Sequence, residues 1–103
     1  MTTETFRHAP VMTAEALALV APHADGLYVD CTLGLGGHTE ALLEAGAGKV
    51  IGLDRDLSAL EHAKHRLARY AARVEFVHAD YRTLPAVLAE RRIDAIDGAL
   101  ADL

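Results

Sequence analysis

Leu27-Tyr28-Val29-Asp30-Cys31-Thr32-Leu33-Gly34-Leu35-Gly36-Gly37-His38-Thr39 runs from a strand pattern through a glycine cluster into a helix pattern. The Asp25-Gly26 pair before it signals a turn, and Leu27–Leu33 reads as a compact β-rich run. A glycine cluster at Gly34, Gly36 and Gly37 follows at once, and Thr39 to Ala45 then reads as a helix ended by Gly46 and Gly48. Glycines at a strand's end let the backbone approach a ligand and adopt positive φ. The helix start that follows offers N–H groups with no intrahelical partner.

On either side of this stretch the pattern keeps alternating. Lys49 to Leu53 is a second apolar strand closing on Asp54, and Asp56 caps a helix whose Leu60, Ala63, Leu67 and Tyr70 share one face. Lys64, Arg66, Arg69 and Arg73 lie mostly off that face and read as a solvated surface, with RNA phosphates as the less favoured alternative. Val74 to His78 is a third strand running into Ala79-Asp80-Tyr81. Thr83 then caps a helix with Pro85 in its first turn, ending near Arg91-Arg92, and Ile96 to Leu103 is a fourth strand. Upstream, Thr13 caps a helix carrying Leu17 and Val20 that Pro22 stops. Short apolar strands separated by helices predict an α/β, doubly wound parallel sheet covered on both faces.

Composition narrows the classes. The chain has 103 residues, 51% hydrophobic and 24% charged, which suits one small globular domain rather than a disordered tail. No apolar run approaches the ~20 residues of a membrane span, so no membrane partner is expected. The opening residues carry no secretory signal pattern, and the single Cys31 fits a reducing cytosol, so a cytoplasmic location is expected. A net charge of −5 argues against coating nucleic acid by charge alone, although eight of the ten basic residues fall in residues 54–103. Cys31 reads as a small buried strand residue. His62 and His65 lack a third ligand, so no metal site is expected.

In such sheets ligands bind beyond the C-terminal strand ends, where strand order reverses. Asp54 ends the second strand about twenty residues after the glycine loop, where a carboxylate can accept from both hydroxyls of an adenosine ribose. Asp80-Tyr81 ends the third strand, where an adenine would lie, and Asp102 ends the fourth. Asp30, inside the first strand, either orders the glycine loop or touches the ligand. Thr39 stands where GxGxxG would have its third glycine, which disfavours a dinucleotide dehydrogenase. On residues alone, an NAD-binding oxidoreductase fragment and a non-catalytic adenosine-ligand module stay open.

The whole stretch Tyr28–Thr39 resembles the S-adenosylmethionine loop of the RsmH (MraW) family of bacterial 16S ribosomal RNA (cytosine-N4) methyltransferases. His8-Ala9-Pro10-Val11-Met12, Gly52-Leu53-Asp54-Arg55-Asp56 and Ile96-Asp97-Gly98-Ala99-Leu100-Ala101-Asp102-Leu103 agree, so the likeness runs from Arg7 to Leu103. It implies a Rossmann-like S-adenosylmethionine-dependent methyltransferase fold, truncated after the fourth parallel strand. Residues 1–103 would then be the N-terminal part of the cofactor-binding domain, without the RNA-binding insert and the C-terminal strands. Carried over by position, Gly36, Gly37 and His38 would meet the cofactor's amino-acid end. Asp54 would hold the ribose, Tyr81 would pack near the adenine, and Asp102 would close the pocket. The implied partner is 16S rRNA in the small ribosomal subunit. On this reading the chain by itself binds cofactor at most, transfers no methyl group and self-associates. No catalytic residue is assigned.

Overall fold

The computed structural model describes residues 22–101, built on four parallel strands. β1 (Leu27–Asp30), β2 (Lys49–Asp54), β3 (Val74–His78) and β4 (Gly98–Leu100) lie in the order β3-β2-β1-β4. α1 (Gly37–Glu44) connects β1 to β2. α2 (Leu57–Arg66) and a 3₁₀ segment (Ala68–Arg73) connect β2 to β3. A 3₁₀ turn (Tyr81–Thr83) and α3 (Leu84–Glu90) lead to β4. The chain steps outward from β1 to β3 and then returns to the other flank of β1. That reversal puts the crevice of a doubly wound sheet at the C-terminal end of β1.

Side chains alternate across the sheet, and both faces are covered. Tyr28, Val50 and Leu100 pack with Leu42 and Leu43 of α1 and Leu60 and Ala63 of α2. Val29, Ile51, Leu53 and Ala99 pack with Leu84 and Val87 of α3. Burial on both sides is why these strands read as near-continuous apolar runs. Among the described residues, no helix is long and apolar enough to cross a membrane.

Several boundaries differ from the sequence expectation, each for a local reason. β1 ends at Asp30, not Leu33, because the Asp30 carboxylate accepts the Thr32 N–H (3.2 Å) and turns the chain. α1 begins at Gly37, not Thr39, because Gly36 caps it in a left-handed conformation (φ +92°) without any side-chain cap. Asp56 does cap α2, accepting from Ser58 N (2.9 Å) and Ala59 N (3.4 Å), but α2 stops at Arg66 and Tyr70 packs on the core from the 3₁₀ segment. Thr83 holds the cap position of α3 without capping it, since its hydroxyl donates to the Asp80 carbonyl (2.7 Å). β4 starts at Gly98, after Asp97 has tied β1 down by accepting the Leu27 N–H (2.8 Å). The expected helix after Thr13 and the candidate Asp102 lie outside the described residues.

Candidate functional site

The strand ends meet at Asp54. It is the last residue of β2, and parallel pairing sets it beside His78 of β3. One carboxylate oxygen accepts the Gly34 N–H (2.8 Å), and the other accepts the Asp56 N–H (2.8 Å). A single side chain therefore braces the glycine loop against the start of α2.

Beside it opens a cavity of about 490 Å³, walled by Thr32, Asp54, Arg55, Ala79, Tyr81 and Arg82, among others. Asp80 also lines it and is held by Arg82, whose Nε and Nη2 donate at 3.1 and 2.8 Å. The Arg82 side chain, then its backbone N–H, hold the Asp80 carboxyl down at about 2, so it stays charged. Cys31 lines the same cavity. Its burial, and secondly the Asp30 charge, push the thiol up to about 12, so it stays protonated and is no nucleophile.

A second cavity of about 280 Å³ lies over the glycine loop, lined by Thr32, Gly34, Leu35, Gly37, His38 and Arg66, among others. Thr32 borders both, so the two adjoin at the end of β1. Of the residues singled out from the sequence, Asp54 and Tyr81 line the larger cavity and Gly37 and His38 the smaller. Gly36 is among the lining residues of neither. It is buried at φ +92°, and a Cβ there would sit 3.1 Å from Leu67 Cδ1, so both its backbone conformation and its packing against Leu67 call for glycine.

Asp30 is fully buried and binds the loop: its carboxylate accepts from the Thr39 hydroxyl (2.8 Å) as well as from Thr32 N. That settles its two open readings in favour of ordering the loop. The arginines divide. Arg66 Nε and Nη2 meet Glu40 at 3.0 Å, Arg69 meets Glu44 at 2.9 Å, and half-buried Arg73 donates to the Leu43 and Ala47 carbonyls at 3.0 and 2.6 Å. Sequence reading missed Arg66, Arg55 and Arg82 as cavity residues. Arg66 reaches the loop through a partner 26 positions away, and no periodicity encodes that. Among the described residues, no group of three or more metal-ligating side chains forms.

The family profile described as the MraW methylase family matches residues 5–103. The chain belongs to the MraW methylase family. Ribosomal RNA small subunit methyltransferase H of Thermobifida fusca (strain YX) is 49% identical over 100 residues, covering 93% of this chain but 30% of the relative. The chain thus spans about a third of the length of the curated relatives it matches. Among solved structures, a precorrin 8w decarboxylase from Methanobacterium thermoautotrophicum matches with TM-score 0.66 at 26% identity, over 95% of this chain and 55% of that one. A Streptococcus mutans protein solved in complex with SAH matches with TM-score 0.59 at 20% identity, over 74% of this chain and 46% of the other. The sheet has the fold of S-adenosylmethionine-dependent methyltransferases.

Proposed function

We propose that residues 1–103 form the S-adenosylmethionine-binding, N-terminal part of an enzyme that methylates the exocyclic N4 of a cytidine in 16S rRNA of the small ribosomal subunit. Family membership supports the reading, and the observation that carries it is Asp54. A carboxylate offers about four lone-pair positions. Two of those on Asp54 receive the Gly34 and Asp56 N–H groups, one on each oxygen. One position per oxygen remains for the adjacent hydroxyls of a ribose. The 490 Å³ beside it falls within the range of about 300–1,000 Å³ usual for small-ligand pockets. Tyr81 and Ala79 give that cavity an apolar wall for a flat base, while Gly37 and His38 border the space left for the amino-acid end. On this reading Asp102 closes the pocket from the end of β4.

When bound, the cofactor supplies a sulfonium methyl group already activated for in-line displacement by an amine. The lone pair of a cytosine N4 is delocalised into its ring, so the protein must orient that amine and let its proton leave late. The base must also leave any stack to reach the methyl group. We place the segments that grip RNA beyond residue 103 and the enzyme in the cytoplasm.

The binding half is tested by Asp54→Ala in the whole protein. S-adenosylhomocysteine affinity should fall by about 1.5–3 kcal/mol, roughly 10- to 150-fold, because a charge-assisted pair of bonds is lost. Unchanged affinity would remove Asp54 from the site. The transfer half is tested by incubating small ribosomal subunits with tritiated-methyl cofactor and digesting the rRNA to nucleosides. Label recovered as anything other than N4-methylcytidine overturns the target.

A further inference from the structure

We propose that Arg66 is the residue that receives the carboxylate of the cofactor's amino-acid end, an inference that rests on the cofactor reading above. The smaller cavity is bordered by the loop backbone at Gly34 and Gly37 and by Arg66 reaching over from the last residue of α2. Glu40, one turn into α1, fixes that guanidinium: Nε and Nη2 both lie 3.0 Å from its Oε1. The pairing leaves Nη1 outside it, and the guanidinium lies face-on over the loop, where a Cβ on Gly37 would stand 3.7 Å from Nη1, 3.8 Å from Nη2 and 3.9 Å from Cζ. Glycine at 37 thus keeps open the space directly beneath the guanidinium.

An amino-acid end is a zwitterion, and it suits a wall that carries both signs. A guanidinium offers a carboxylate N–H groups in a planar fork, which is how arginine selects planar anions. Glu40 has its own negative charge in the same pair, with its side chain 23% exposed against 47% for Arg66. The carboxylate therefore meets a cation already oriented by a neighbour, with little side-chain freedom left to lose on binding. The Asp54 cavity and the Arg66 cavity adjoin at Thr32, so a ligand with its ribose on Asp54 extends toward Arg66.

The test compares two ligands in the whole protein by titration calorimetry: S-adenosylhomocysteine, and methylthioadenosine, which keeps the adenosyl group but has no amino-acid end. Arg66→Gln should weaken S-adenosylhomocysteine on the order of tenfold and leave methylthioadenosine within twofold of wild type. Retained methylthioadenosine binding also shows that the variant is folded, and Arg66→Lys should recover part of the loss. An equal fall for both ligands, or no fall for S-adenosylhomocysteine, overturns the assignment while leaving the cofactor reading intact. A wild-type protein that binds neither ligand overturns the cofactor reading and this inference with it.

Discussion

Asp30 and Asp54 end neighbouring strands, yet their surroundings give them opposite tasks. Each carboxylate accepts one protein hydrogen bond per oxygen, but Asp54 lines a cavity whereas Asp30 has no exposed surface. Burial raises the Asp30 carboxyl from 3.8 to about 6, with the Thr39 and Thr32 hydrogen bonds pulling the other way. A folded value above the unfolded one means that the native state holds this proton more tightly. Its stabilisation is then complete below pH 3.8 and is lost as pH rises to about 6, a change on the order of 3 kcal/mol. Asp30→Asn should flatten the urea midpoint across that window, and an unchanged slope would show that Asp30 does not titrate there. Gly36→Val should cost about 2–4 kcal/mol in the same denaturation experiment, because valine is strained at φ +92° and would press on Leu67. The Asp54 position was legible from its distance to the glycine loop. The crowding of Gly36 by Leu67 was not, because sequence shows that a glycine is needed without showing which side of the backbone is crowded.

Element boundaries were legible where a side chain makes the cap and obscure where the backbone does. Asp56 announces α2 by its own chemistry. The ends of α1 and α3 instead share a backbone device. Ala47 N bonds Leu42 O (3.0 Å) and Gly46 N bonds Leu43 O (3.1 Å), while Ile93 N bonds Leu88 O (2.9 Å) and Arg92 N bonds Ala89 O (3.0 Å). Gly46 suits the left-handed position at φ +110°, but Arg92 occupies its counterpart at φ +57°. Arg92→Gly should therefore stabilise the protein by roughly 0.5–1 kcal/mol, read as a higher urea midpoint. The arginines off the α2 face separate in the same way. Arg73 holds two carbonyls at the end of α1 from a half-buried site, so Arg73→Ala should cost about 1.5–3 kcal/mol. Arg69 pairs with Glu44 in the open and should cost no more than about 1 kcal/mol when replaced by alanine. Equal losses for the two variants would mean that the Arg73 carbonyl bonds contribute no more than a surface ion pair.

Among the described residues, the two flanks of the sheet are not alike. β3 forms one flank, with Glu75 ion-paired to Arg91 at 2.7 Å and exposed His78 at its end. Charged and polar side chains of this kind discourage pairing with a further strand. β4 forms the other flank, and Gly98, Ala99 and Leu100 are all buried, with no lysine, proline or charge among them. Such a strand has the composition of a sheet's centre, and among the described residues it pairs only with β1. Its outer N–H and C=O groups form a template for another strand. Residues 1–103 prepared alone should therefore self-associate, with light-scattering mass rising with concentration, and β4 amides should gain protection from hydrogen exchange as it rises. The β3 edge should show no such gain. A constant monomer mass, or protection appearing first on β3, would show that β4 is not the adhesive edge.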